Sequence, residues 1–230
     1  MEDQSEGERL RAAAEASERR LRDLIQSVDA IVWEADAATF HFTFVSRRAE
    51  LLLGYSIEDW LTLPHFWEEH IYPADRERTL AECRSGTAVG RDYELEYRML
   101  AADGRVVWLR DKVRVVLDVA GKPQQLCGVM VDITKEKRAE AELRRVNRAL
   151  KTLSQCNQAM ARASAEAELL DEICRIIVEV GQYPFAWIGF AEHDADKSIR
   201  PVARAGHEDG YLAQVKITWD DSESGRGPAG

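Results

Sequence analysis

The stretch Gly128-Val-Met-Val-Asp-Ile-Thr-Lys-Glu-Lys-Arg-Ala-Glu-Ala-Glu-Leu-Arg-Arg-Val-Asn147 opens as an apolar run and turns, at Asp132-Ile-Thr134, into a charged helical pattern. Up to Ile133 the apolar and β-branched residues suit a buried strand. Beyond Thr134, seam positions fall at Leu143, Val146, Leu150, Leu153, Asn157 and Met160, separated alternately by three and four residues. This is coiled-coil spacing, with Asn157 at an a-type position, where a polar residue fixes register and strand number at some cost in stability. The seam covers only about two and a half heptads, so the pattern also suits a helix that docks on the next segment. Thr134 stands where an N-cap belongs, with its hydroxyl expected to accept from the N–H of Glu136 or Lys137 and Glu136 placing negative charge in the first turn. Asp132 is expected to take a hydrogen bond or to pair with an Arg or Lys of a neighbouring segment.

Upstream of this stretch the period alternates. Residues from about 8 to 28 carry Leu10, Ala14, Ser17, Leu21, Leu24 and Val28 at helical spacing, which fits either a weak coiled-coil seam or one amphipathic helix. Ala30 to Asp36 and Phe40 to Ser46 then read as two strands, followed by helical pieces at Arg48–Leu53, Ile57–Leu61 and Asp75–Cys83, punctuated by Gly54, Pro64 and Pro73. Three longer strands follow: Tyr93–Met99, Val106–Leu117 and Gln125–Ile133. Asp103-Gly104 and Ala120-Gly-Lys-Pro123 supply the intervening turns. Two strands, a helical middle and three strands predict an α+β domain, a five-stranded antiparallel sheet with helices on one face, flanked by helices.

After the long helix, Glu166–Val180 predicts an amphipathic helix, and Phe185–Ala191 and Ile199–Ala205 predict strands, the second placed at an edge or a strand start by Pro201. These few elements are too sparse to bury both faces of a sheet, so the last domain is expected to be incomplete. The expected divisions are an N-terminal helix over 1–28, a sheet-and-helix domain over 29–134, a linking helix over 135–160 with coiled-coil spacing and a truncated domain over 161–230.

The 230 residues carry a formal net charge of −10, with 45% hydrophobic and 31% charged residues. That balance argues against broad binding to nucleic acid or to an anionic bilayer. No apolar run reaches the roughly 18 residues of a membrane span and no secretory signal opens the chain, so a cytoplasmic location without membrane insertion is expected. Cys83, Cys127, Cys156 and Cys174 are widely spaced and form no Cys-x-x-Cys. They are expected as small buried hydrophobes, with no metal site.

The middle of the chain resembles the PAS family with its C-terminal PAC segment, over roughly residues 20 to 135. The resemblance rests on Phe44-Val-Ser46, Leu52-Leu-Gly-Tyr-Ser-Ile-Glu-Asp-Trp60, Phe66-Trp67, His70-Ile-Tyr-Pro-Ala-Asp-Arg76, Glu96-Tyr-Arg98, Ala102-Asp-Gly-Arg105 with Val107-Trp108, and Gly128 with Val131-Asp-Ile-Thr134. Residues 150 to 230 resemble the first half of a GAF domain through Leu169-Leu-Asp-Glu-Ile-Cys-Arg175, Ala186-Trp-Ile-Gly-Phe190 and Gly225-Arg-Gly-Pro228. The resemblance implies the input end of a bacterial sensor histidine kinase, diguanylate cyclase or related signalling chain. It also implies that Asp132, Ile133 and Thr134 relay a change in the sheet to the helix they launch. A homodimer through the flanking helices and a downstream output domain are the partners implied.

No catalytic motif stands in these residues: no Gly-x-x-x-x-Gly-Lys-Ser/Thr, no nucleophile elbow and no His-Glu-x-x-His. His193 and His207 sit in acidic turns and not on a helical seam. Cys83 lies in Ala81-Glu-Cys-Arg-Ser85 and lacks the Asn-Cys-Arg setting of a flavin-photoadduct cysteine, and the helix around it carries no His for haem. No cofactor is expected, and the residues identify no small-molecule ligand. Trp33, Phe44, Trp60, Phe66, Trp67, Tyr93, Tyr97 and Trp108 either line a ligand pocket or are plain core. The expected function is a sensory and dimerisation module that acts by conformational change; the alternatives are the regulatory end of an enzyme and an assembly scaffold that senses nothing.

Overall fold

Hydrophobic alternation with a period of two, interrupted by short capped helices, governs the first part of the chain. The computed structural model describes residues 16–17, 19–20, 23–25, 27–207, 210, 212 and 217–220. Leu10, Ala14 and Leu21 of the N-terminal seam and Gly225–Pro228 lie outside the described residues. The chain divides into two compact units, residues 1–138 and 139–230.

In the first unit β1 (Ile31–Asp36) and β2 (Phe42–Val45) are followed by four helices, α1 (Arg48–Leu53), α2 (Ile57–Thr62), α3 (Phe66–His70) and α4 (Pro73–Val89). Then come β3 (Tyr93–Leu100), β4 (Val106–Leu117) and β5 (Pro123–Asp132). All pairings are antiparallel and the order across the sheet is β2-β1-β5-β4-β3. The last strand is therefore central, flanked by the first and the fourth, and α5 (Thr134–Arg162) leaves from its end. Inward residues alternate along β1 as Ile31, Trp33 and Ala35 and along β4 as Val107, Leu109, Asp111, Val113 and Val115, and the core they form includes Leu53, Trp60, Phe66, Trp67 and Ile71 from the helical segment.

The helices start and stop for local reasons. Gly54 takes φ 80° and closes α1, a conformation that costs a residue without Cβ little. Ser56 and Asp59 form a reciprocal capping box at α2. Pro73 opens α4, and the buried Asp75 in its first turn accepts from the Arg98 backbone N–H (3.0 Å), Nε (2.8 Å) and Nη2 (2.5 Å), pinning the helix to β3. The guanidinium of Arg98 holds the Asp75 carboxyl below the usual carboxylate range. α4 runs beyond the expected Cys83, through Ser85-Gly86-Thr87, to Val89. At Gly86 an added Cβ would lie 2.5 Å from the Tyr93 ring, so glycine lets helix and strand approach. α3, led in by His65 at φ 58°, was not anticipated.

The second unit holds most of α5, then α6 (Glu166–Glu179), β6 (Phe185–Ala191) and β7 (Ile199–Gly206). β6 and β7 pair with each other in a two-stranded antiparallel sheet, with Pro201 opposite Gly189 beside a register shift. α6 packs on this hairpin, burying Cys174 and Ile176, while Ala203 is buried on β7. Cys83 and Cys174 are buried as expected, whereas Cys127 and Cys156 are only half-buried because each sits on a face that the core does not cover. No described helix is long and apolar enough to cross a membrane.

Gly128 occupies the middle of the central strand, where an added Cβ would collide with the Lys112 carbonyl oxygen and lie 2.8 Å from the Trp33 ring. Neither neighbour can withdraw without shifting β4 or the core. Gly128→Ala is expected to destabilise the first unit by about 1 to 3 kcal/mol or more, read as a lowered urea midpoint; an unchanged midpoint would contradict this packing.

Candidate functional site

At the end of β5 the chain closes a clasp on one residue of the neighbouring strand. The Ile133 N–H donates to the Trp108 carbonyl (2.9 Å), and the Trp108 N–H donates to the Thr134 hydroxyl oxygen (2.9 Å). Both backbone groups of Trp108 are thus taken up by the two residues that open α5. Asp132 Oδ1 accepts the Thr134 N–H (2.9 Å), and the Ile133 carbonyl accepts the Lys137 N–H (3.0 Å), which starts the helical ladder. The expectation that the Thr134 hydroxyl caps the helix is corrected here. β4 runs past the end of β5 with an amide still to satisfy, and the hydroxyl faces that amide. The bond open to Asp132 proves to be local, within its own turn.

The outer face of the sheet adds a second tie. Lys137, in the first turn of α5, pairs with Glu96 on β3 (2.6 Å), and Glu96 also receives Arg110 of β4 (Nη2 2.7 Å). These two cations, Lys137 foremost, hold the Glu96 carboxyl below its usual range. The Trp108 ring lies on this face with the Lys137 ammonium 5.4 Å and the Arg98 guanidinium 5.3 Å from its centroid.

The inner face carries a buried acid. Asp111 is 2% exposed, and its carboxylate accepts from Trp33 Nε1 (3.0 Å) and from the Tyr97 hydroxyl (3.3 Å), which itself accepts from Trp67 Nε1 (2.9 Å). No cation faces it, and burial pushes its pKa up to about 7 despite the two donors. It lies at the wall of a chamber of about 20 Å³ lined also by Trp33, Phe40, Phe42, Trp67 and Cys83. Burial pushes the Cys83 thiol up to about 11, and its sulfur meets the Tyr93 hydroxyl (3.2 Å), which also meets Thr87 Oγ1 (2.9 Å).

Of the aromatic residues singled out in sequence, Trp33 and Trp67 line this chamber. Tyr97 supports its acid, and Tyr93 binds the cysteine in its wall. Trp60 and Phe66 instead line a neighbouring groove of about 670 Å³. Phe44 and Trp108 line neither. Trp108 occupies the phase of β4 opposite to Leu109 and Asp111, and Phe44 sits 37% exposed on edge strand β2 beyond a register shift. Asp111 itself was missed, although the alternation of Val107, Leu109, Val113 and Val115 around it places an ionisable group on the apolar face. Its chamber has room for one water-sized group. Among the described residues no cluster of His, Cys, Asp or Glu can hold a metal ion.

The sheet order, the one-sided helical cover and the helix leaving from the central strand together define the class of fold, and the sequence profile described as the PAS fold matches residues 42–130. Residues 42–130 thus match the PAS fold. The chain's curated relatives are sensor proteins. A two-component sensor, PprA, of Pseudomonas aeruginosa is 30% identical over 138 residues, 58% of this chain and 14% of that protein. A methyl sulfide methyltransferase-associated sensor of Methanosarcina acetivorans is 29% identical over 178 residues, 76% of this chain and 16% of that protein. Among solved structures, the N-terminal domain of a diguanylate cyclase with PAS/PAC sensor from Marinobacter aquaeolei has 35% identity, with 47% of this chain and 98% of that one covered and a TM-score of 0.45. This chain spans no more than 16% of the length of either curated relative.

Thr134→Val keeps the shape and removes the acceptor, leaving the half-buried Trp108 N–H unpaired, which costs about 1 to 3 kcal/mol. Urea unfolding is expected to register that loss in Thr134→Val and its recovery in Thr134→Ser; equal midpoints in all three proteins would contradict the clasp.

A pH prediction follows from Asp111. The folded protein keeps this proton to about pH 7, whereas the unfolded chain releases it near 3.8. Between those values the native state binds more protons, so this group's contribution to stability declines as pH rises from about 4 to 7 and is level above, by roughly 4 kcal/mol at most. Asp75 and Glu96, held low, act in the opposite sense and lose stability as pH falls. The difference in unfolding free energy between wild type and Asp111→Asn, measured across this range, isolates the Asp111 slope; a difference independent of pH would contradict the burial of an ionisable acid.

Proposed function

We propose that this chain is a sensory and dimerising input module of a signal-transduction protein, in which the PAS domain biases the helix leaving it at Asp132-Ile133-Thr134. The observation that carries this reading is the pair of hydrogen bonds that joins the Trp108 backbone to Ile133 and Thr134, reinforced by Lys137–Glu96. A shift of β4 relative to β5 cannot leave the start of α5 unchanged, because both backbone groups of Trp108 are bound there. Two arrangements of the sheet would then reach the helix as a rotation or a change of register.

The second unit is read as the opening part of a GAF domain. Leu169–Arg175 falls on α6 and Ala186–Phe190 on β6. The output is read as a histidine kinase or diguanylate cyclase domain of the same protein. No residue of the chain needs to make or break a covalent bond for this role, and the location that fits it is the cytoplasm.

α5 supports dimerisation. None of its residues is buried, and Leu143, Val146, Leu150, Leu153 and Met160 are exposed along one seam with Asn157. A heptad stripe of this kind is self-complementary, so the occupant that matches it is the same helix of a second copy. Sedimentation equilibrium of the whole chain at tens of micromolar is expected to give a dimer, and Leu150→Glu with Leu153→Glu a monomer. A monomeric wild type would remove the seam from the account.

A further inference from the structure

Asp111 is a buried acid with only two of its acceptor positions taken. The titratable groups around it are Tyr97 on β3, Cys83 on α4 and, one residue further out, Tyr93; all are neutral at pH 7, and no Lys, Arg or His lines the chamber. The walls are the aromatic rings of Trp33, Phe40, Phe42 and Trp67 together with the aliphatic side chains of Ala35, Leu95, Val113 and Leu126. A carboxylate beside aromatic rings, in a space of about 20 Å³, is complementary to a small hydrogen-bond donor, and a cation fits it best because both the charge and the ring faces attract it.

The chamber does not stand alone. Phe40, Phe42 and Trp67 also line the groove of about 670 Å³. Ring contacts run from Trp33 to Phe42 (5.3 Å), on to Trp60 (5.1 Å) and on to Phe66 (5.1 Å), so a continuous aromatic wall leads outward from the acid. Along this wall the Trp60 indole N–H is buried and has no acceptor in the protein. Phe40, at the mouth, is held at φ 57°, a conformation costly for a bulky side chain, by the Asp36 carbonyl and by the Asp36 carboxylate, which takes the Ala38 and Thr39 amides and the Thr39 hydroxyl. At the rim stand Glu68, which pairs with His65, and Arg84 and His41.

We propose that the PAS domain binds an organic primary ammonium ion, its –NH3+ group seated against Asp111 and its apolar part lying along the aromatic wall into the groove. This rests on reading the domain as a sensor and names the class of ligand it senses. An ammonium head group is the size of a water molecule and supplies the donors that the carboxylate lacks, while the rings face its charge with their π surfaces. The charged carboxylate is the binding form, and with its pKa near 7 binding strengthens with pH until Asp111 is fully ionised.

The test is calorimetric titration of the whole chain at pH 8 with 2-phenylethylammonium, beside 2-phenylethanol and 3-phenylpropanoate as its neutral and anionic counterparts. Saturable binding of the ammonium ion is expected, at least tenfold tighter than the alcohol, with none of the anion. In wild type the affinity should fall by up to tenfold per unit as pH drops below 7, a readout that does not depend on any variant folding. Asp111→Asn should weaken the ammonium ion at least tenfold and leave the alcohol unchanged. No binding by the ammonium ion, equal binding of the alcohol, an affinity independent of pH between 5 and 8, or saturation by potassium as readily as by the ammonium ion would overturn the proposal. None of these outcomes bears on dimerisation through α5, so failure here and failure of the sensory-module reading are separable.

Discussion

The backbone of Trp108 is the point on which this structure turns. β4 runs past the end of β5, and its amide and carbonyl would face water or remain unpaired if Thr134 and Ile133 did not take them up. The cost of an unpaired backbone group in a half-buried setting exceeds the net gain of most surface contacts. That asymmetry explains why the strand cannot simply fray into the helix. The ladder of α5 begins at the Ile133 carbonyl, and the same residue's N–H is already committed to the sheet, so sheet and helix share a residue with no slack between them.

β4 also links the two faces of the sheet. Trp108 and Asp111 are three positions apart, and the pleat therefore sends one side chain outward and the other inward, about 10 Å along the strand. On the inner face Asp111 is bonded to β1 through Trp33 and to β3 through Tyr97. On the outer face Trp108 is packed beneath Arg98 and Lys137. A change in the charge or occupancy at Asp111 alters bonds to β3, beside β4, and to β1, two strands away across β5, and the strand that carries it is the one clasped at the helix. No chain of moving side chains is needed between the two places, since a single strand with bonds at both supplies the connection.

Most of the fold was legible because it follows alternation and punctuation. Strand boundaries agree to within a residue or two, since Gly104 and Gly121 take the positive φ their hairpins require, and helix ends follow Gly54 and Pro73. Where the reading failed, a tertiary contact overrode the local signal. The helix expected to end at Cys83 runs on through Gly86, where the Tyr93 ring lies against α4. Thr134 looked like a cap, and no local rule reveals that a strand 26 residues away offers its hydroxyl a better partner. The aromatic residues could be counted but not sorted, because the bulge between β1 and β2 and the phase of β4 decide which face each one takes. Asp111 was the reverse case: its phase was readable, but a lone acid between Arg110 and Lys112 looks like one more surface charge.

Native-state hydrogen exchange tests the shared strand and helix junction most directly. The Trp108, Ile133 and Lys137 amides donate in sequence across the clasp, to Thr134, to Trp108 and to Ile133. If sheet and helix are one mechanical unit here, these three amides open together, with opening free energies that agree to within about 1 kcal/mol and shift together in Thr134→Val. A Lys137 amide that exchanges a hundredfold faster than that of Trp108, while Trp108 keeps full protection, would mean that the helix frays independently and that the junction transmits nothing.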